Sequence, residues 1–403
     1  MNRYWNLLSS EPLLARLSLI QLIAYFGAWF SNVAIYTLLI QLDAEPAVIA
    51  LVAALHFFAG VLQAPLSGVI IDRISPKKLM MILTVTEIVS TLSLIGVSDI
   101  SYLLLLYILV FVRMGAASFQ FTVEMSLLPK IVQGKALQYA NEIHSIIWSF
   151  SYTAGMALGG LLVYYVGTTV AFLFDATLFF VVLILVSTLK IHTYGEQNRE
   201  RFLVMMGDAL RYIWGNKMVF NLILLHAVVG LTAFDALVVL SVEKYYLEVV
   251  AISLGIGLVH AMRAIGLTIG PMILGTWITL KRLGYLFVAE GLAIILWGLV
   301  IEYFYLSLIV SVLVGFVTST LWSYTFTLLQ QHTDEAYYGR VIAYNDMVFL
   351  IFGGSASLLI GFLVKIGFSL GSVAFVFGGA FIMAAIYYAW IRTQHELKEV
   401  GGE

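Results

Sequence analysis

Long apolar stretches alternate with short polar ones along the whole chain. There are about twelve apolar stretches, mostly of roughly 18 to 26 residues, which suits a helix rising about 1.5 Å per residue through about 30 Å of hydrocarbon. The pattern predicts an all-α membrane protein. Its twelve membrane-spanning helices are expected at 17–41, 47–71, 79–98, 102–123, 138–166, 168–190, 218–241, 251–277, 283–301, 304–329, 340–365 and 370–392.

The basic residues fix the expected orientation of these spans. With the N-terminus in the cytoplasm, 17 of the 21 Lys and Arg residues fall on the cytoplasmic side. Lys244 and Lys365 lie in outer loops, and Arg113 and Arg263 lie inside spans. A missed span would invert every later loop and scramble this bias. Both termini are therefore predicted to be cytoplasmic. The protein itself is predicted to lie in the cell (inner, cytoplasmic) membrane.

Composition leaves little room for a soluble domain. Charged residues make up 11% of the chain and mean hydropathy is +0.99, whereas soluble domains carry about 25% charged residues. The net charge of −2 gives no reason to expect nucleic acid as a partner. Cysteine is absent, which removes disulfides, thiolate metal sites and cysteine nucleophiles. No cofactor and no metal are expected.

The longest hydrophilic stretch, 191–217, divides the chain into two predicted six-helix bundles, 1–190 and 218–403. The halves look related, because Gly68 is matched by Gly270 and Asn141 by Asn345 at offsets of 202 and 204 positions. Duplicated halves with a substrate site between them are common in secondary transporters. Within 201–214, apolar residues recur at helical spacing, which predicts an amphipathic helix along the cytoplasmic interface.

The segment from Gly68 to Lys78, with Asp72 and Arg73 at its centre, resembles the cytoplasmic loop motif of the major facilitator superfamily. Ser75 and Pro76 stand where that family has a glycine and an arginine. The resemblance implies a gating latch. In it Asp72 faces the start of the eleventh helix, and a basic residue, here Lys77, pairs with an acid at the end of the fourth helix, here Glu124.

Three further segments carry the resemblance. Arg113, followed by Gly115, resembles the buried arginine that the family uses in proton coupling. Gly155-x-x-x-Gly159-Gly160 resembles the antiporter motif, and these glycines are predicted to pack helices closely. The segment 208–214 resembles the entry to the seventh span in the macrolide-efflux and siderophore-exporter branch, which contains drug:proton antiporters.

Ionisable side chains inside spans are the candidate functional residues, since each costs about 3 kcal/mol at mid-bilayer on insertion scales. Arg113 is expected to bind an anionic substrate group or to tune a proton-carrying acid; the alternative is an interhelical clamp. Asp235 is a candidate proton carrier, the alternative being a hydrogen bond to a backbone or hydroxyl group. His260 and Arg263, three residues apart, form a small cationic patch on one helical face.

The expected roles of the remaining acids depend on their helices. Glu87, Asp175 and Glu290 lie on spans three, six and nine, which face lipid in the family, so each needs a bundle-facing rotation. Glu87 is hypothesised to face Arg113. Glu142 and Asp346, near the cytoplasmic ends of their spans, are expected to cap helices or serve the latch rather than to contact substrate.

Trp148, Tyr152, Phe234 and Trp322 fall in spans that line the cavity in the family, and they are candidates to line a site for an apolar or cationic aromatic substrate. Most aromatic rings of the chain are expected to serve packing or interface anchoring instead.

Together these features predict a secondary transporter that exports a lipophilic or amphiphilic small molecule in exchange for protons, by alternating access. The resemblance implies that it works as a monomer. A lysophospholipid flippase and a siderophore exporter remain alternatives. Two other classes are a sensor or scaffold, and an intramembrane enzyme using the G-x-S-x-G match at Gly367–Gly371. That match lacks the strand-turn-helix context of a hydrolase.

Overall fold

The computed structural model describes residues 2–71, 74–133, 135–191, 200–275 and 277–394. The regular structure of this part of the chain is helical. Its α-helices are α1 Asn2–Ser10, α2 Pro12–Gln41, α3 Pro46–Ile71, α4 Pro76–Leu94, α5 Leu103–Ile131, α6 Lys135–Thr188, α7 Glu200–Gly215, α8 Lys217–Ala227, α9 Asp235–Ser241, α10 Ile252–Leu274, α11 Leu283–Val300, α12 Phe304–Gln331, α13 Tyr338–Lys365 and α14 Leu370–Gln394.

Ten helical segments of the described residues are long and apolar enough to cross a membrane. One of them, α6, runs for 54 residues but contains Gly167 at φ 82° and ψ 171°, so it consists of two successive helices. Glycine adopts this left-handed backbone without the steric cost of a Cβ. The 19-residue α4 is not among the ten, and it carries Lys77, Lys78 and Glu87. The count of twelve crossings remains a prediction.

The predicted seventh span is not one continuous helix. After α8 the chain forms a 3₁₀ segment, Val228–Thr232, and leaves helical geometry at Ala233 and Phe234; α9 is then followed by a π-helical turn, Val242–Tyr246. At the break, the Thr232 carbonyl accepts hydrogen bonds from Arg263 Nη2 at 2.7 Å and from the Phe234 backbone N–H at 2.8 Å. Non-helical backbone at membrane depth persists only where protein groups satisfy it. The span predicted at 218–241 thus lies within Lys217–Tyr246, which is long and apolar enough to cross a membrane, but its helix is interrupted.

The chain divides into two compact units, each with its own internal packing. The first unit comprises 1–44, 62–199 and 251–261. In it α2 packs along α6, and α4 packs against α5 and α6. A Cβ built at Gly159 would lie 2.6 Å from the Phe30 carbonyl oxygen, and one at Gly155 would lie 2.9 Å from the Phe26 carbonyl oxygen. These glycines of α6 therefore let its backbone approach that of α2.

Gly160, the third glycine of this motif, meets a different helix. A Cβ there would lie 2.6 Å from the carbonyl oxygen of Ser253 on α10. The motif therefore brings two helices against α6 from neighbouring positions of its surface.

The second unit comprises 45–61, 200–250 and 262–403. In it α11 packs against α14 and α12, and α13 packs against α8 and the 3₁₀ segment Val228–Thr232. The predicted boundaries of the two six-helix halves, at 190 and 218, remain a prediction.

The segment predicted as an amphipathic helix forms α7, which docks on residues of the second unit. Tyr212 stacks on Tyr337 with ring centroids 4.3 Å apart and an interplanar angle of 8°. The backbone N–H of Asp334 donates to the Tyr212 hydroxyl at 3.1 Å, and Arg340 Nη1 donates to the Met205 carbonyl at 3.1 Å. The linker helix is thus held against the start of α13.

We expect Tyr212→Ala to loosen α7, because it removes a ring pair worth about 0.5–1.5 kcal/mol and the acceptor of the Asp334 amide. Backbone amides of 204–214 should exchange hydrogen faster in the purified variant. Tyr285→Ala, whose exposed ring lies on α11, is the matched control and should leave this exchange unchanged. Equal exchange in both variants would show that the ring stack does not hold the linker.

Candidate functional site

Arg113, on α5 in the first unit, is the largest fully buried side chain of the described residues. Its Nη2 donates to Asp175 Oδ2 at 3.0 Å, and its Nε donates to Thr91 Oγ1 at 3.1 Å. A third contact joins Nη2 to the Ser31 hydroxyl. The guanidinium therefore ties α5 to α2, α4 and α6 through one charged and two hydroxyl partners.

Asp175 is the acid that neutralises Arg113. It lies on α6 after Gly167, is fully buried, and accepts a second hydrogen bond from Ser31 Oγ at 2.5 Å. The sequence analysis required an inward rotation of the helix at Asp175, and the structure places this side chain inside the unit. An arginine keeps its charge inside the membrane, so the fold supplies a carboxylate and hydroxyl groups to it.

Glu87, which the sequence analysis paired with Arg113, is not the direct partner. It lies on α4, is 2% exposed, and is within electrostatic reach of Arg113, Asp175 and Glu124. Its Oε2 has no hydrogen-bond partner among the described residues. The structure thus brings Glu87 into the arginine cluster but leaves its carboxyl group poorly satisfied.

Glu124, near the cytoplasmic end of α5 in the predicted topology, belongs to a hydrogen-bonded chain. Tyr25 Oη donates to its Oε2 at 2.8 Å, and Gln120 Nε2 donates to its Oε1 at 3.0 Å. Gln120 in turn accepts from Thr84 Oγ1 at 3.1 Å, so the chain links α2, α4 and α5.

The structure does not bring Lys77 to Glu124, although both residues are described. Of the other latch residues, Asp72 and Arg73 lie outside the described residues, and Gly68 lies in α3. The latch remains an expectation from the resemblance.

The first unit therefore gathers two carboxyl groups, those of Asp175 and Glu87, around one guanidinium, and Glu124 lies within electrostatic reach of Glu87. Arg113 can neutralise one negative charge, and burying a further carboxylate without a cation costs several kcal/mol. A proton on a carboxyl group removes that cost. The cluster of Glu87, Glu124, Asp175 and Arg113 is chemically suited to hold at least one exchangeable proton.

A second cluster lies in the second unit at the break between α8 and α9. Besides its bond to Thr232, the Arg263 guanidinium lies 5.4 Å from the centre of the Phe234 ring and within electrostatic reach of Glu290. Glu290, on α11, is fully buried and lies 2.6 Å from Thr318 Oγ1 of α12. The sequence analysis named Glu290 only as an acid that needs an inward rotation, and the structure provides that rotation.

The other predicted ionisable candidates occupy separate places. Asp235 is the first residue of α9 and is partly buried. His260 is fully buried in the first unit, and its Nδ1 is 3.1 Å from the Tyr152 hydroxyl. Arg263 makes its contacts in the second unit, so the two members of the predicted cationic patch belong to different units.

The sequence analysis favoured helix capping or a latch role for Glu142 and Asp346. In the structure neither residue caps its helix. They lie about two turns inside α6 and α13, and the effect of a helix dipole is confined to the first turn. Glu142 accepts a hydrogen bond from Tyr4 Oη at 2.6 Å, and Asp346 accepts one from Asn345 Nδ2 at 3.2 Å.

Two of the four aromatic side chains predicted to line the cavity, Trp148 and Trp322, are partly exposed. Trp148 is 40% exposed and stacks on Tyr152 at 5.7 Å. Trp322 is 42% exposed and stacks on Phe326 at 5.2 Å, with ring planes 7° apart.

Tyr152 and Phe234 are buried. Phe234 is 1% exposed and packs against Trp297 and Phe377, with ring centres 5.7 Å and 5.8 Å away. It serves as core packing here, whereas the sequence analysis placed it among the cavity-lining rings.

The G-x-S-x-G match has a structural role. Ser369 precedes α14, and its Oγ accepts the backbone N–H of Ser372 at 3.1 Å. This contact is that of a serine capping a helix N-terminus. The serine therefore stabilises the start of α14.

In the described ranges of the chain, ten long apolar helices enclose buried ionisable clusters, which is typical of a multi-pass membrane protein of the helical type. A family profile described as Major Facilitator Superfamily matches residues 17–356, and the chain belongs to that family. No curated protein matches the sequence.

Solved structures of the same fold are transporters. The nucleoside transporter NupG superposes with a TM-score of 0.73 at 14% identity, covering 95% of this chain and 100% of that chain. A variant of it gives a TM-score of 0.74. The POT family transporter PepTSo gives 0.69 at 14% identity, covering 94% of this chain and 98% of that chain. At this identity the likeness shows the fold alone.

Proposed function

We propose that this transporter exports a lipophilic or amphiphilic small molecule in exchange for protons. It would do so from the cytoplasmic membrane as a monomer with twelve crossings and both termini in the cytoplasm. The observation that carries proton coupling is the excess of buried carboxyl groups over guanidinium groups around Arg113. Such a cluster can change its protonation state when alternating access exposes it to one side and then the other.

A lipophilic substrate is supported by the aromatic pairs of each unit. Trp148 and Trp322, the exposed members of the stacked pairs with Tyr152 and Phe326, present ring faces that can stack on a planar apolar or cationic group. The macrolide-efflux branch is part of the same proposal, and it rests on the resemblance of the segment 208–214. An anionic amphiphile such as a lysophospholipid is the second candidate, because the half-buried Arg263 could bind a negatively charged head group.

Purified protein in proteoliposomes tests this proposal. Vesicles loaded with fluorescent dyes, macrolides or lysolipids would be given a pH gradient of either sign. We expect at least one dye or macrolide to move against its gradient at a rate that follows the pH gradient and collapses with a protonophore. Protein-free vesicles report passive leakage.

Movement that ignores the pH gradient would contradict proton coupling while leaving transport intact. Pure lysolipid transfer between leaflets would replace the export proposal by the flippase alternative.

A further inference from the structure

Glu87 and Glu290 occupy matching positions of the two sequence halves. They are 203 positions apart, between the offsets of 202 for Gly68 and Gly270 and 204 for Asn141 and Asn345. Each lies on the third predicted span of its half, on α4 and α11, and each of these helices packs against the next one, α5 or α12. The two acids are therefore equivalent by sequence repeat and by helix.

Their surroundings are alike in the features that govern a buried carboxyl group. Glu87 is 2% exposed and Glu290 is 0% exposed, and Oε2 of each has no hydrogen-bond partner in the described part of the chain. One guanidinium lies within electrostatic reach of each acid: Arg113 for Glu87 and Arg263 for Glu290. Neither guanidinium forms an ion pair with its acid, because Arg113 pairs with Asp175 and Arg263 donates to the Thr232 carbonyl.

The other groups facing Glu87 are mostly acidic. Glu124 comes from α5, Asp175 from α6, and the Tyr25 hydroxyl from α2. With Asp175 already bonded to Arg113, the ionised form of Glu87 would have two acids near it and an oxygen without a donor. Such a carboxylate is strongly disfavoured in a protein interior.

Glu290 has an even simpler environment. From α12 it meets the Thr318 hydroxyl, and from α10 the charge of Arg263. On α14, Tyr387 donates to Asn221 Oδ1 and Tyr388 to the Leu280 carbonyl, so these hydroxyls are used elsewhere.

The geometry at Thr318 fits a protonated Glu290. Thr318 Oγ1 lies 2.6 Å from Glu290 Oε1 and 2.8 Å from the Val314 carbonyl oxygen. A hydroxyl has one proton to donate, and the Val314 carbonyl can only accept. If Thr318 donates to Val314, the short contact to Oε1 is satisfied when Glu290 carries the proton and donates it to Thr318 Oγ1.

We propose that Glu87 and Glu290 are a repeat-related pair of proton-binding carboxyl groups, one in each half. In this proposal the Thr318 hydroxyl changes its hydrogen-bond acceptor when Glu290 gains or loses its proton. This inference deepens the proposed proton coupling and rests on it. On deprotonation the carboxyl O–H bond breaks, its electron pair stays on the carboxylate, and the proton passes to water. The Thr318 O–H then turns from Val314 to the carboxylate. Two such sites allow two protons to be exchanged per transport cycle.

Infrared difference spectroscopy of the purified full-length protein tests the pair without a substrate. It compares alkaline buffer with a mildly acid buffer in which exposed carboxyl groups are already ionised. We expect a carboxylic acid C=O band that loses one component in Glu290→Gln and another in Glu87→Gln. Thr318→Val should shift the Glu290 component without removing it, because the hydroxyl partner is lost. Glu302→Gln and Glu45→Gln, at exposed positions, are matched controls and should leave the band unchanged.

A Glu290→Gln spectrum identical to that of the unmodified protein would overturn the pair. The same result in Glu87→Gln would do so as well. Folded variants are selected by an unchanged melting temperature, and Glu→Asp at either position keeps a carboxyl group as a second test: the band should shift rather than vanish.

Transport separates this inference from the proposed function. With a substrate identified in proteoliposomes, the proton-to-substrate ratio of each single Gln variant should fall to half, and the double variant should transport without proton coupling. If the unmodified protein shows no pH-driven transport, the proposed function fails while the infrared result stands. If pH-driven transport is present and the ratio is unchanged in Glu290→Gln, only the pair fails.

Discussion

Arg113→Ala should destabilise the protein by about 3–5 kcal/mol, the usual cost of removing one partner from a buried ion pair. The substitution leaves the Asp175 carboxylate fully buried, with the Ser31 hydroxyl as a remaining donor. It also removes the contact from Arg113 to Thr91 that joins α5 to α4. Since domains are commonly stable by about 5–15 kcal/mol, the loss should appear as low yield and a strongly lowered melting temperature in detergent.

An exposed ion pair of the same geometry is the matched control. Arg211 Nη1 lies 3.1 Å from Asp208 Oδ1, but the two side chains are 86% and 45% exposed. Arg211→Ala should therefore cost less than about 1 kcal/mol. A similar loss of melting temperature in Arg113→Ala and Arg211→Ala would contradict the role of burial.

The double variant Arg113→Met with Asp175→Leu separates stability from coupling. Replacing a whole buried pair by apolar residues is often neutral for stability, so the melting temperature should recover most of the loss. If Arg113 serves proton coupling, pH-driven transport should stay absent in this folded variant. Restored transport would leave Arg113 with the clamp role that the sequence analysis gave as its alternative.

The sequence was sufficient to predict a chain of long apolar helices and to locate the buried arginine. Every backbone group in lipid needs an internal partner, so long apolar stretches become helices almost regardless of detail. The partner of Arg113 could not be obtained in this way. Glu87 and Asp175 both lie in apolar helices, and which of them meets the guanidinium depends on how each helix is rotated, which follows from packing with several neighbours.

The break after α8 shows a different limit. No proline occurs in 218–241, and the single glycine there, Gly230, is tolerated in membrane helices. Residues far away in the sequence contact the chain at the break. Arg263 donates to the Thr232 carbonyl, and a Cβ at Gly230 would lie 2.6 Å from the Phe349 carbonyl oxygen. Contacts between residues so far apart in the chain leave no local signal in the sequence.

Gly315→Ala should be strongly destabilising, because it adds a methyl group where two backbones touch. A Cβ at Gly315 of α12 would overlap the carbonyl oxygen of Arg263 on α10, far inside the 3.0 Å that real Cβ contacts essentially always keep. Overpacking usually costs about 1–3 kcal/mol and costs more where the obstacle is backbone. We expect a lowered melting temperature in detergent.

Gly379→Ala on α14 is the control, since a Cβ there meets nothing within 4 Å, and its melting temperature should be unchanged. The consequence of Gly315→Ala should reach the broken helix, because the Arg263 backbone that must move carries the guanidinium bonded to Thr232. Amides of 228–235 should then exchange hydrogen faster in Gly315→Ala than in Gly379→Ala. Equal exchange in the two variants would mean that the Arg263 guanidinium does not stabilise the break between α8 and α9. The backbone carbonyl groups at the break would then need another donor.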